Sequence, residues 1–457
     1  VNKTFQFDAL YDGHKWIANA SVELDRDGRV VQIAPPNILQ SGEKISGFAL
    51  PGFCNGHSHA FQFAMAGLTE GVPVGQDHDD FWSWRESMYA LATQLELADI
   101  QVIAESAYSA MLRAGYTSVV EFNYLHHQVD GAPYAKAEDV SHALIESARR
   151  VGIDMVMVPI LYQTSDIGQP ANDRQKRFIH DEQGTYLRLV ETLKKSWSGV
   201  PGVSIGMGAH SIRAVGEAAM SEVYATSKAW GMQFHIHIAE QQKEVQSALR
   251  AFKQRPIEWF IEKIGGDSST YFVHATHCSE DEATAMLRSG INVVLCPSTE
   301  GDLGDGMFPL QSYTRRGGAW MIGSDSHVVI DPWYELRQLD YAERMRLEKR
   351  NVLVQVGQES GNVVLATLAS AETKIRTDLS LGIEVGQRLD LIVVDSHHQA
   401  VAGVSSAQRL SSLLYAGGRD ALIGWCKGNT FRSIEASAAQ HQGRIKRLGE
   451  LRQRLWS

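Results

Sequence analysis

The stretch PGFCNGHSHAFQFAMAG, Pro51–Gly67, sets two histidines on either side of one serine, immediately after a short apolar run. In an extended strand residues i and i+2 face the same way, so His57 and His59 can offer imidazole nitrogens to a common point at a strand end. An isolated HxH is a weak signal, more often a coincidence on a half-exposed strand than a metal pair. Its meaning depends on what else reaches the same place.

Eight strand-like runs are readable between residues 47 and 325: GFALPGFCN, GYTSVVEFN, GIDMVMVPIL, GVSIGMGAH, MQFHIHIA, TYFVHAT, INVVLC and AWMIGSD. Most are followed by a helix-like stretch, such as AEDVSHALIESARRVG or SEDEATAMLRSG, with apolar residues three to four apart and a closing Gly. Eight such units predict an α/β fold, a (β/α)8 TIM-like barrel, whose active sites gather at the C-terminal strand ends. Those ends carry His57 and His59, then His210 after the fourth run, His235 and His237 with Glu240 after the fifth, His274 and His277 after the sixth, and Asp325 then His327 after the eighth. Imidazoles and a carboxylate suit a borderline divalent ion such as Zn2+, with one position left for water. The predicted ligands are His57, His59, His237 and Asp325, with His235 assigned to packing or to support behind the ligands.

The chain ends read differently. TFQFDALYD, WIANASVELD and VVQIAPP near the start, and GIEVGQRLDLIVVD and ALIGWCKGNTF near the finish, are short β-rich segments parted by Gly and charged turns. They predict a small β-sandwich module from residues 1–50 plus 375–432, a barrel from 51–374, and a helical C-terminal segment, 433–457, packed on the surface. A length of 457 residues accommodates that arrangement.

A net charge of -10, with its carriers interspersed, excludes a phosphate-tracking surface and predicts no nucleic-acid partner. The four cysteines form no CxxC pair, which argues against a disulfide framework or a thiolate zinc site and for a reducing, cytoplasmic setting. No apolar run approaches the roughly 20 residues of a membrane helix, and VNKTFQFDAL lacks the apolar core of a signal peptide.

The joint pattern of HxH after the first strand, histidines after the fifth and sixth, and Asp after the eighth resembles the amidohydrolase superfamily over essentially the whole chain. No lysine ends the fourth strand, so the resemblance implies the branch with one divalent metal ion. Within the superfamily, HSHAFQFAMAG, FWSWRESMY, EFNYLHH, GAHSIRAV, HIHIAEQ, FVHATH and CPSTEGDLGDG are similar to the iminohydrolases of bacterial histidine breakdown. Those enzymes release ammonia from a formimidoyl group carried by glutamate. The chain departs from their pattern at Phe63, where a basic residue is expected, and in the loop Ser298–Gly304.

The resemblance implies a small dicarboxylate substrate with a linear amidine, and a homodimer. It assigns Asp325 to accept a proton from water and Glu240 to carry one to the leaving nitrogen, although Glu240 also reads as a solvated loop acid. His274 would orient the attacking oxygen or stabilise the tetrahedral adduct, or else face the core. Gln62, Arg85, Tyr124, His210 and Arg213 are the implied substrate-binding residues, the arginines as planar forks for carboxylates. Three rival functions stand beside this one: a deaminase of a nucleobase or other heterocycle, an imidazolone ring-opening hydrolase, and a non-catalytic barrel scaffold.

Three further segments have plainer readings. YELRQLDYAERMRLEKRN, Tyr334–Asn351, is expected to be a solvated helix laced with ion pairs. FWSWRESMY fits a lid, a subunit contact or packing. GDLGDG, Gly301–Gly306, is expected to be a flexible loop at the mouth of the seventh strand that closes on substrate.

Overall fold

The computed structural model describes residues 2–34, 42–72, 75 and 77–456. Pro35 and Pro36, which end the third expected strand segment, lie outside the described residues, as does Ser457 of the C-terminal segment.

Among the described residues, eight parallel strands stand in sequence order around a barrel: Phe53–Ser58, Tyr116–Asn123, Asp154–Leu161, Met207–Ser211 with its lead-in Val203–Ile205, Phe234–Ile238, Thr270–His274, Asn292–Leu295 and Trp320–Ile322. Every residue of the second and third strands is buried. Strands enclosed on both faces read as near-continuous apolar runs rather than as an alternation, which is why counting runs finds the barrel. The helices between them end as expected: Asp139–Val151 stops at Gly152 (φ 94°), and Glu280–Ser289 starts on the Ser279 capping box and stops at Gly290 (φ 71°).

Closure happens at the HxH motif itself. Ser58 bridges Asp325 in parallel, the Asp325 amide donates to His57 O (3.0 Å) and the His59 amide to Asp325 O (3.2 Å). Gly323 permits that seam, because a Cβ there would lie 2.8 Å from His57 Cβ and 2.9 Å from its backbone N and O. The last strand therefore lies flush against the first, and two stretches some 270 residues apart share one rim.

The first expected run, GFALPGFCN, spans two sheets. Glu43–Pro51 belongs to the terminal module, Phe53–Ser58 belongs to the barrel, and Gly52 is the joint. A Cβ on Gly52 would sit 2.2 Å from Thr117 Oγ1. Both halves of the run are apolar because both are buried, so periodicity could not show the break.

Among the described residues the module is one mixed nine-stranded sheet, ordered Thr430–Ser433, Leu422–Lys427, Arg388–Val394, Glu43–Pro51, Lys3–Tyr11, Ser21–Leu24, Val30–Ala34, with Leu381–Gly382 and Trp16–Ala18 paired alongside. It becomes sandwich-like by curling: Val30 N–H donates to Gln387 O (2.8 Å) and Leu389 N–H to Gly28 O (3.0 Å). Phe5, Phe7, Val22, Leu389, Leu391 and Val393 fill a core of its own, separate from the barrel's. The boundary expected at 374/375 falls inside the helix Ser360–Leu379, whose Arg376 binds Glu372 and Asp390. The domain division is therefore our proposal.

The helix Ile434–Trp456 lies along Leu97–Ala114, with Arg113 donating to Ile434 O (2.7 Å), Arg447 pairing Glu105 (2.8 Å) and Arg454 pairing Asp99 (2.6 Å). The helix Pro332–Leu347 differs from its solvated reading. It carries the expected pairs Arg344–Asp340 and Arg346–Glu343, yet Glu335, Asp340 and Glu343 are buried. Glu335 accepts from Ser298 N (2.8 Å) and Oγ (2.6 Å), Asp340 from Tyr415, and Glu343 from Gln311 N (3.0 Å). Acids with dedicated donors can be buried, and those donors come from elsewhere in the chain. No helix among the described residues is long and apolar enough to cross a membrane.

Candidate active site

His57 Nε2 lies 3.0 Å from His59 Nε2 and 2.9 Å from His237 Nε2, and Asp325 Oδ1 stands 3.4 Å from the first and 3.2 Å from the second. All four side chains are buried, and their ligating atoms lie within 4.8 Å of one another. The His59 ring is oriented by Nδ1, which donates to Phe122 O (2.8 Å), leaving the Nε2 lone pair turned to the cluster. His57 is driven down to about 3 by burial and by neighbouring His59, so it is an unprotonated imidazole at neutral pH. Burial would raise Asp325, but neighbouring His57 and His59 outweigh it and hold the carboxyl well below its usual range. Three imidazole nitrogens and one carboxylate oxygen converge on a single point, an arrangement that a cation between them satisfies. The donor set therefore fits a divalent ion of the zinc type.

The backbone around this cluster is strained. Ala239, His274, Ala275, Asp325 and His327 all have φ between 43° and 69°, in the left-handed region that L-residues avoid, and all lie at strand ends on the rim. Such residues cost on the order of 1–3 kcal/mol each and persist where packing and hydrogen bonds over-determine them. Here the barrel seam and the sixth-strand turn supply that constraint.

His274 comes to the same rim. Its Nδ1 is 3.2 Å from Glu300 Oε1, and its Nε2 is 3.8 Å from Asp325 Oδ2 and 3.9 Å from Glu240 Oε1. Burial alone would lower this imidazole, yet the Glu300 hydrogen bond and the charges of Glu240 and Asp325 raise it to about 10. His274 is thus a buried cation, a donor facing the space beside Asp325. His277, from the same segment, turns away to Gln242 (2.9 Å), and His235 stacks on Tyr271 with ring centres 4.6 Å apart below the rim.

A pocket opens over the cluster, and His59, His237, His274 and Asp325 form its floor. Gln62, Arg85, Tyr124, His210, Arg213 and Glu240 all line it, so the structure brings every candidate residue except His57 to the pocket wall. Gln62 Nε2 donates to Tyr124 Oη (2.8 Å), leaving Gln62 Oε1 with no partner among the described residues. Arg213 is 4 % exposed, 3.0 Å from Glu240 through Nη2 and 3.2 Å from Glu244 through Nε. Burial raises Glu244 to about 7 in spite of that cation.

FWSWRESMY forms the helix Phe81–Ala92, started by an Asp80 capping box. Phe81, Trp84, Arg85, Met88 and Tyr89, at helical spacing, present one face to the pocket. Arg85 lies over the Trp82 ring with its guanidinium 4.3 Å from the centroid. Of GDLGDG, Gly301 and Asp302 end the short helix Pro297–Asp302, whose Glu300 reaches His274, and 303–306 form a turn and loop from which Leu303 lines the pocket. Phe63 stays off the pocket wall, packed against His327 at 6.1 Å.

Sequence reasoning did not single out several supporting residues. Glu121 accepts from Ser58 Oγ (2.6 Å) and Ala60 N (2.8 Å), and so holds the HxH turn. Asn55 donates to Ser324 Oγ (2.6 Å), which also bonds His327 (2.8 Å), the strand-end histidine that stays behind the seam. Tyr89 and Tyr162 complete the walls, while Glu300 stands behind His274 and Glu244 behind Arg213. An isolated acid or tyrosine in a strand-end segment carries no signal of its own; only the motif-bearing partner could have pointed to it.

With this geometry in view, kinship becomes interpretable. Residues 48–428 match the Amidohydrolase family. The chain is 39% identical over 414 residues to a formimidoylglutamate deiminase from Pseudomonas aeruginosa, spanning 89% of this chain and 90% of that protein. Among solved structures it resembles an amidohydrolase from Brucella melitensis, with TM-score 0.89, 32% identity and coverage of 98% and 99%. An adenosine deaminase from Xanthomonas campestris, with bound zinc, shares the fold at TM-score 0.78 and 18% identity, covering 98% of each chain.

Proposed function

Because this chain belongs to the amidohydrolase family, we infer that it is the hydrolase that converts N-formimidoyl-L-glutamate and water to N-formyl-L-glutamate and ammonia, in histidine degradation. The terminal C=N bond is broken and a C=O bond is formed. The observation that carries this reading is near full-length kinship to a deiminase of that substrate.

We assign one Zn2+ per chain to His57, His59, His237 and Asp325. When bound, such an ion supplies the Lewis acidity that lets a water lose its proton near pH 7. Asp325 keeps Oδ2 on the pocket side, near His274, and accepts that proton. His274, held as a cation by Glu300, donates to the oxygen on which negative charge develops. Glu240, fixed by Arg213, hydrogen-bonds the amidinium and delivers a proton to the departing nitrogen, so that ammonia leaves rather than its anion.

Arg85 and Arg213, both beside the Trp82 ring, face the substrate carboxylates, and Gln62, Tyr124 and His210 add polar contacts. A neutral heterocycle would not use two guanidinium forks. The homodimer and the cytoplasmic setting are part of the same proposal. The cysteines Cys54, Cys278, Cys296 and Cys426 are unpaired, which supports a reducing compartment. Sedimentation of the purified protein checks the dimer.

The test is ammonia release by zinc-loaded protein over formimidoylglutamate, guanine and cytosine, with imidazolonepropionate followed by its own disappearance. Turnover confined to formimidoylglutamate is expected. Preferential turnover of a heterocycle would overturn the substrate assignment, and a protein that binds no metal would restore the scaffold reading.

A further inference from the structure

A second cavity lies outside the active pocket and shares Arg85 and Arg213 with it. It is lined by Trp82, Asp166, Lys243, Glu244, Ser247 and Arg250 in addition to those two arginines, and has a volume of about 380 Å³. Lys243, Ser247 and Arg250 are spaced i, i+4, i+7 on the helix Gln242–Phe252, so one face of that helix presents two cations to the cavity. Around it stand four cationic side chains and two acidic ones, on a chain whose net charge is -10.

The cations differ in how far they are already engaged. Arg213 is committed to Glu240 and Glu244. Lys243 is largely exposed, with Nζ 3.5 Å from Asp80 Oδ2 and 4.8 Å from the Trp82 ring centre. Among the described residues Arg250 donates only to the neutral Ser247 Oγ (2.9 Å). An exposed pair such as Lys243–Asp80 is weak and exchanges readily for another anion.

We propose that Lys243 and Arg250 form an outer binding site for a dicarboxylate, which captures the substrate and hands it inward past Arg85 and Arg213. This rests on the dicarboxylate reading given under the proposed function. Charged substrates are slowed in approaching a protein of like charge, and a local cationic cavity offsets that repulsion and raises the encounter rate.

The experiment compares kcat/KM for formimidoylglutamate across ionic strength in the wild type and in Lys243→Ala/Arg250→Ala. The variant should lose about fivefold in kcat/KM at low salt, with the two curves converging at high salt as the charges are screened. The loss should fall on KM rather than kcat, and Lys243→Arg/Arg250→Lys should restore it. An unchanged kcat/KM, or a loss that does not depend on salt, would overturn the outer site. If the wild type fails to turn over formimidoylglutamate, the substrate reading falls separately. Calorimetric titration with glutarate at low salt then decides the outer site, which is lost if the double variant binds as tightly as the wild type.

Discussion

Arg213 Nη2 stands 3.0 Å from Glu240 Oε2, so the cation we assign to a substrate carboxylate and the acid we assign to the leaving nitrogen hold each other in the free protein. Under the proposed mechanism, recognition and proton transfer are coupled through one contact. Arg213→Ala should raise KM more than tenfold, since a charge-assisted contact is worth about 1.5–3 kcal/mol, and should also lower kcat because Glu240 loses its anchor. Steady-state kinetics that showed KM alone altered would separate the two roles.

Glu240→Gln keeps the shape and the hydrogen bond to Arg213 but removes the proton carrier. Turnover should drop by roughly 100-fold or more, with metal content unchanged by elemental analysis. Full activity in that variant would remove Glu240 from the reaction.

His57 Nε2 and His237 Nε2 are only 2.9 Å apart, at the point where we assign the ion. Withdrawal of the ion by a strong chelator should abolish ammonia release and lower the melting temperature, because the four side chains then lose the cation that joins them. Zinc should restore both. Asp325→Asn should weaken metal retention, measured by competition with a chromogenic chelator.

Glu335 gives a pH signature remote from the metal. Burial pushes this carboxyl from 4.5 to about 8 despite its two bonds from Ser298. A raised carboxyl means that the folded state keeps a proton the unfolded chain has released. Its contribution to stability is therefore largest below pH 4.5 and declines as pH rises towards 8. Glu335→Gln preserves an acceptor for Ser298 and removes the titration. Subtracting its melting curves from those of the wild type across that range should show the slope; a flat difference would place the proton elsewhere.

Much of this architecture was readable before any coordinates. The eight barrel runs are visible because enclosed parallel strands must be apolar along their length, and the convergent histidines are visible because imidazole is uncommon at strand ends without a task. The same physics hid the break at Gly52, where one apolar run serves two sheets. It also hid the burial of Glu335, Asp340 and Glu343, because acids at helical spacing read alike whether water or a distant donor satisfies them. Glu121 and Glu300 escaped for a related reason: each matters only through the residue it holds, Ser58 in one case and His274 in the other.

Local order in the chain therefore determined the kinds of element, their number and the donor-rich ends, since side-chain period and residue chemistry are properties of neighbours. Only the tertiary structure decided which donors meet. The barrel seam set Asp325 against His57 and His59, the sixth-strand turn brought His274 within reach of Asp325, and the fourth strand's exit put Arg213 on Glu240. Those distances follow from closing the sheet on itself, a constraint that acts between segments from 27 to 268 residues apart and leaves no local trace.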